Sequence, residues 1–349
     1  MQTRKRIPLL TILLIVLLVQ LACNFPVRQV GPLSLPGRPT LPDLAARFQA
    51  DNYAGWIRKL SGAEPVQIGG QPALITTRYS YAMFTGQENA RAFDFVLEQV
   101  RQWVPEDQIE VDEYPYADAE RTYTWKNLIV TLPGATLPNE VIVLSAHLDS
   151  VVVREGNALE AAPGANDNAV GVAALMEAAR LFPAYRFERT IRLIWFTGEE
   201  SNAAGSRAYV QDHPTDNIVA MLNLDMFGYD SNNDRCFELH VGVNPAADAV
   251  GQAFVQTIQQ EGLDLRFDYL TAQATDRSDH IAFWEVNVPA ITVIENFFEN
   301  NLPGGCVGVD GTPFYHRPGD TFETINLPFA FDIARAALLT VARLAGPLD

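Results

Sequence analysis

The chain has 349 residues, 48% hydrophobic and 19% charged, which is the balance of a globular protein with room for one large or two medium domains. A chain of this length buries enough apolar surface that neither a disulfide nor a metal is needed merely to fold. Its formal net charge of −17 and pI near 4.7 argue against a nucleic-acid partner, because phosphate binding needs clustered Lys and Arg.

The first predicted element is an export signal. Arg4, Lys5 and Arg6 form a basic start, and Ile7 to Ala22 is an apolar run interrupted by Pro8, Thr11 and Gln20. The run is slightly short for a bilayer span, which needs about 20 apolar residues. It ends in Leu21-Ala22-Cys23, which resembles the cleavage box of bacterial lipoproteins with Cys23 as the lipidated residue, although Gln20 stands where that box usually has Leu. A retained anchor helix and ordinary cleavage are the alternatives; each exports the protein and the first two keep it on a membrane. Residues 1–22 are therefore read as signal. Residues 23–44, rich in Pro, Gly and Arg, read as a tether, and 45–349 as a single catalytic domain. In an exported protein Cys236 and Cys306 are a natural disulfide pair, with two buried free thiols as the alternative.

Helical patterns follow at 52–60 and 87–103; in the second, Ala90, Phe93, Val96, Leu97, Val100 and Val104 share a face. Short Val-, Ile- and Leu-rich runs at 128–132, 141–146, 190–196, 218–224 and 290–294 then alternate with helical patterns at 170–181 and 248–260. Residues 329–344 read as a closing amphipathic helix. Such alternation predicts an α/β fold with helices on both faces of the sheet.

In open α/β sheets, sites gather at the carboxyl edge of the strands. Three predicted strands end in His or carboxylate: His147-Leu148-Asp149, Gly198-Glu199-Glu200 and Asn223-Leu224-Asp225. The loop 163–168 adds Asp167 just ahead of a helix, whose N-terminus favours an anion. Histidine and carboxylate without thiolate suit zinc held by N and O ligands. His147 and Asp149, two apart on an extended segment, face one side, as in a ligand His oriented by a carboxylate. Glu199 and Glu200 are adjacent and point differently, so one can bind metal while the other takes a proton from the attacking water.

These motifs resemble, in order and over about residues 77–344, the co-catalytic zinc exopeptidases that include the bacterial leucyl aminopeptidases. Glutamate carboxypeptidase and glutaminyl cyclase are more distant relatives. The segments that carry the likeness are Thr77-Arg78-Tyr79, Ala146-His147-Leu148-Asp149-Ser150, Gly164-Ala165-Asn166-Asp167-Asn168-Ala169, Thr197-Gly198-Glu199-Glu200, Asn223-Leu224-Asp225-Met226, Ser278-Asp279-His280, and Tyr315-His316 with Asp320-Thr321.

The resemblance implies a mixed, mostly parallel sheet between helical layers and two zinc ions per chain. Asp167 would bridge the ions, His147 and Asp225 would complete one site, and Glu200 and His316 the other. It makes Glu199 the general base and Asp149 the partner of His147. Ser278 becomes the partner of His316, and the Asp167–Asn168 peptide bond is expected to be cis. Some members place an oxyanion-holding Tyr where this chain has Thr275, so no oxyanion residue is assigned. His240 reads as structural, and His280 as ordering its loop.

The implied activity is removal of N-terminal residues from peptides with a free amino end. The alternatives are a glutaminyl cyclase, which uses one zinc; a carboxypeptidase or dipeptidase, which needs a cation for the substrate carboxylate; and an inactive binding ectodomain.

Overall fold

A computed structural model describes residues 40–348 apart from 86–90, 215, 300–301 and 303–304. The proposed signal, Cys23 and the tether up to residue 39 lie outside the described residues. The globular body starts earlier than residue 45. Helix α1 (Leu41–Arg47) is capped by Thr40 and Asp43 and inserts Leu44, fully buried, into the core. Helix α2 (Ala50–Leu60) follows, then a two-stranded ribbon, β1 (Val66–Ile68) with β2 (Gln71–Ala73), and the short α3 (Ser80–Met83) and α4 (Ala92–Val100).

The main sheet has eight strands: β3 (Ile109–Ala117), β4 (Thr122–Leu132), β5 (Leu137–His147), β6 (Arg189–Phe196), β7 (Ile218–Leu224), β8 (Cys236–His240), β9 (Arg266–Leu270) and β10 (Ala290–Glu295). Their spatial order is β3-β4-β6-β5-β7-β10-β8-β9. The four central strands, β6, β5, β7 and β10, run parallel, and so do β8 and β9; the other pairings are antiparallel. This is the mixed, mostly parallel α/β sheet expected.

Alternation along β5 explains the layering. Ile142, Leu144 and Ala146 point into the larger core, shared with α2, α5 (Val170–Leu181), α7 (Pro245–Glu261) and α9 (Leu327–Ala345). Val141 and Val143 point the other way, against α6 (Ala204–Asp212) and α8 (His280–Glu285), which supply Tyr209, Ala282 and Phe283. The long helices start as their sequences dictate: Asn244 and Asn326 cap α7 and α9 through their side chains, each with Pro inside the first turn.

Strands β3, β8 and β9 were not expected. β3 is an edge strand whose buried residues are Asp112 and Tyr114, so it shows no apolar run, and Pro115 sits within it, as an edge permits. β8 is wholly buried yet carries Glu238 and His240, so it never reads as an apolar run. Cys236 and Cys306 are joined by a disulfide, with Cα atoms 5.4 Å apart, which staples the 305–326 segment to the start of β8. Register places the site. Ala146 pairs with Trp195, His147 with Phe196, Ser145 with Asn223, and Val293 with Leu224, so four parallel strands end level at one edge.

Candidate active site

At that edge the chain converges six groups named from sequence. His147 ends β5, fully buried. Its Nδ1 lies 3.0 Å from the Asp149 carbonyl oxygen, and its Nε2 faces Asp225 Oδ1 at 3.1 Å and Asp167 Oδ1 at 3.3 Å. A carbonyl only accepts, so Nδ1 carries a proton, and Nε2 is the ring nitrogen turned toward the two carboxylates. The other oxygen of Asp167, Oδ2, is 3.2 Å from His316 Nε2, which also lies 2.9 Å from Glu200 Oε2. Asp167 thus presents one oxygen to each of two triads: His147, Asp167, Asp225 and Asp167, Glu200, His316. Glu199 stands beside them, and among the described residues nothing hydrogen-bonds its carboxylate.

Two expected contacts differ. Asp149 holds His147 through its backbone carbonyl; its nearer carboxylate oxygen is 3.7 Å from Nδ1. The strand ends at His147, and beyond it the Asp149 carbonyl faces the ring while its carboxylate faces the Glu199–Glu200 segment. That carboxylate accepts from the Ser80 hydroxyl at 3.2 Å and from the N–H groups of Glu199 and Glu200 at 3.2 and 3.3 Å. It therefore clamps the Glu-Glu turn. Ser278 does not hydrogen-bond His316. The Asn223 side chain on β7 donates to its hydroxyl at 2.8 Å, and His316 stacks on Tyr315 with ring centres 3.7 Å apart.

The surroundings explain how the loops reach these positions. Arg78, fully buried, donates to the carbonyls of Leu148, Leu60, Pro163 and Gly164, tying the 163–168 loop to the end of β5. Gly164 has φ +51, and a Cβ there would meet the Asp167 carbonyl oxygen at 2.2 Å, so only glycine fits. Asp320 accepts from the N–H groups of Asn166 and Asp167 at 2.8 and 3.0 Å, and the Asn166 amide donates to buried Glu295 at 2.7 Å. The Asp167–Asn168 bond is cis. Arg78 and Asp320 appeared only as parts of the matched segments, and Glu295 not at all. Buried charges in aperiodic loops, such as Arg78 and Asp320, leave no pattern to find, whereas Glu295 ends β10 directly after an apolar run and carried the same strand-end signal as His147.

The electrostatics call for a cation. Burial raises the pKa of Glu199 well above the usual carboxylate range. Burial, with Asp167 nearby, pushes Glu200 up to about 8. Burial alone would lower His316, but Asp167 and Glu200 lift it to about 10. Four crowded carboxylates are short of positive charge. His316 Nε2 and Glu200 Oε1 are buried without a hydrogen bond, and N and O donors without sulfur suit a borderline divalent ion. The residues fit a metal.

Residues 127–341 match the pattern that defines peptidase family M28. The chain belongs to this family. Leucine aminopeptidase 2 of Trichophyton rubrum is 30% identical over 239 residues, covering 66% of this chain and 46% of that protein. Leucine aminopeptidase 1 of Blastomyces gilchristii is 27% identical over 283 residues, covering 77% and 67%. The chain therefore spans about half the length of the first of these relatives. Among M28-like solved folds, the Legionella pneumophila LapA aminopeptidase aligns with a TM-score of 0.65 at 19% identity, covering 88% of this chain and 75% of that one. A glutaminyl cyclase from an Acidobacteriales bacterium aligns with a TM-score of 0.65 at 20% identity, covering 91% and 99%. At such identities the likeness is one of fold.

Proposed function

We propose that this M28 chain is an aminopeptidase that removes the N-terminal residue from peptides with the help of two zinc ions. The observation that carries this reading is the split Asp167 carboxylate, one oxygen toward His147 and Asp225 and the other toward Glu200 and His316. When bound, the two ions would supply Lewis acidity, making water nucleophilic at neutral pH and polarising the scissile carbonyl.

The chain's own residues do the rest. Glu199 has a free carboxylate whose proton affinity burial raises, so it can accept the water proton and return it to the leaving amine. The clamp from Asp149 holds Glu199 and Glu200 on one turn, so the base and the ligand keep their separation. Met226, Ile294, Phe297, Phe298 and Tyr315 line a small cleft of about 40 Å³ over Asp167, Glu199 and Asp225, so the surface next to the carboxylates is largely apolar.

The test is a panel of free-amine and N-blocked peptides with zinc supplied and after chelation, run beside metal analysis. The expected result is cleavage of free-amine peptides only, lost on chelation, with close to two zinc equivalents bound. Glu199→Gln should keep its zinc while kcat falls by at least about a hundredfold. No cleavage of any free-amine peptide would favour a binding ectodomain. Full activity with a single bound ion would sink the two-metal assignment.

The reading extends to location: export and attachment to a membrane through lipidated Cys23. It is supported by the N-terminal pattern and by a disulfide that suits an oxidising compartment. Among the described residues no helix is long and apolar enough to cross a membrane. Cys23→Ser should release the protein from the membrane fraction or leave its signal uncleaved; unchanged membrane association would refute it.

A further inference from the structure

The loop between β9 and α8 is held rigidly. The Thr275 N–H donates to His240 Nδ1 at 2.9 Å, and His240 Nε2 meets Glu238 Oε2 at 3.0 Å in the buried core. His280 Nε2 lies 2.9 Å from the Thr275 carbonyl, to which it donates. The backbone N–H of Arg277 donates to Thr275 Oγ1 at 3.2 Å, and Ser278 just beyond is fixed by Asn223.

Arg277 is thereby presented at a junction. Arg277, an exposed residue, lines the cleft over Asp167, Glu199 and Asp225 and also the neighbouring groove formed with Glu199, Asn202, Ala203 and Asp276. The other arginine of that groove, Arg207, is already paired with Glu285. Among the described residues no carboxylate or carbonyl accepts from the Arg277 guanidinium, although acidic groups line both cavities around it.

We propose that Arg277 recognises the C-terminal carboxylate of a dipeptide, so that the enzyme favours dipeptides over longer or C-blocked chains. This rests on the aminopeptidase reading. If Glu199 returns a proton to the leaving amine, the leaving residue lies on the Glu199 side, where the groove continues. One residue spans about 3.5 Å, so the carboxylate of a dipeptide falls just past the leaving nitrogen, at the junction that Arg277 lines. A guanidinium is always charged and offers a planar fork to both carboxylate oxygens. An amide or a longer chain offers a neutral carbonyl at that place and gains no such pair. The pinned loop reduces the ordering needed on binding. The dipeptidase alternative needed a cation for the substrate carboxylate, and Arg277 answers that need from the leaving-group side.

The test compares kcat/KM for Leu-Gly, Leu-glycinamide and Leu-Gly-Gly in the zinc-loaded wild type, Arg277→Ala and Arg277→Lys. The wild type should prefer Leu-Gly over the other two by about ten- to a hundredfold, the worth of a charge-assisted pair. Arg277→Ala should bring that ratio close to one, and Arg277→Lys should keep part of it. Equal wild-type rates on all three would overturn the proposal and leave the aminopeptidase reading intact. So would an Arg277→Ala variant that keeps the preference, or one that slows all three substrates alike. If the wild type cleaves none of them, the aminopeptidase reading itself falls, and this inference with it.

Discussion

Replacing Asp149 by Asn isolates what holds the Glu199–Glu200 turn. The Asp149 carboxylate is fully buried and accepts from three donors, the Ser80 hydroxyl and the N–H groups of Glu199 and Glu200, at 3.2–3.3 Å. An amide of the same size keeps one acceptor oxygen and turns the other into a donor facing a donor. One charge-assisted bond is lost, worth about 1.5–3 kcal/mol, and the survivors lose their charge assistance, roughly 1 kcal/mol more. For a body of this size about 2.5–4 kcal/mol corresponds to a fall in Tm of roughly 5–10 °C. Because Glu199 rides on the turn, kcat should fall about ten- to a hundredfold, the effect of displacing a reacting group by about 1 Å. Glu200 rides there too, so one zinc should bind more weakly, while His147, held by the Asp149 carbonyl, keeps the other. Thermal melts, kcat on a Leu substrate and zinc stoichiometry read all three. Unchanged kcat and two tightly bound zinc ions in a destabilised variant would show that the clamp serves folding alone.

Glu200→Gln should weaken zinc binding itself, measured by chelator competition, where Glu199→Gln does not. The Thr275 N–H donating to His240 Nδ1 requires a neutral ring, and burial lowers His240 to about 3 and His280 to about 4. Both pKa values lie below the unfolded value near 6.5, so the unfolded chain binds more protons and stability falls as pH drops through that value. Between pH 7 and 5 each ring should cost about 2 kcal/mol of unfolding free energy in urea titrations. His240→Asn, whose amide oxygen can accept the same N–H, should lose its share of that slope. Cys306→Ser opens a covalent loop of sequence separation 70 and should lower unfolding free energy by up to about 4 kcal/mol, seen as an earlier denaturant midpoint.

The central strands and their endings were legible because the chemistry coincides with the end of an apolar run: His147 and Asp225 follow one directly, and Glu199 and Glu200 come just after Thr197-Gly198 at the end of another. Asp167 was legible only as a carboxylate ahead of a helix; its bridging role, and His316 altogether, came from the family likeness, since their loops have no period. The Asp149 contact was half legible. Spacing puts it beside His147, but only the folded backbone after β5 decides that the carbonyl faces the ring and the carboxylate faces Glu199. The Ser278 hydroxyl accepts from Asn223 on β7, a partner that nothing local in the sequence reveals. Helix α6 went unseen because it buries only Gly205, Ser206 and Tyr209, too little for an apolar stripe.

The two triads rest on different mechanical supports. His147 and Asp225 hang from the ends of adjacent parallel strands, whose positions the whole sheet determines. Glu200 sits on a three-residue turn, and His316 on a long segment moored by Cys306, by Asp310 to Ser231, and by Asp320 to the Asp167 loop. Cutting the Cys306 or the Asp310 mooring loosens His316 and leaves His147 and Asp225 on their sheet, whereas cutting the Asp320 mooring frees Asp167, which both triads share. For the proposed two-ion centre, the step to a one-ion centre within one unchanged scaffold is then a matter of loop substitutions.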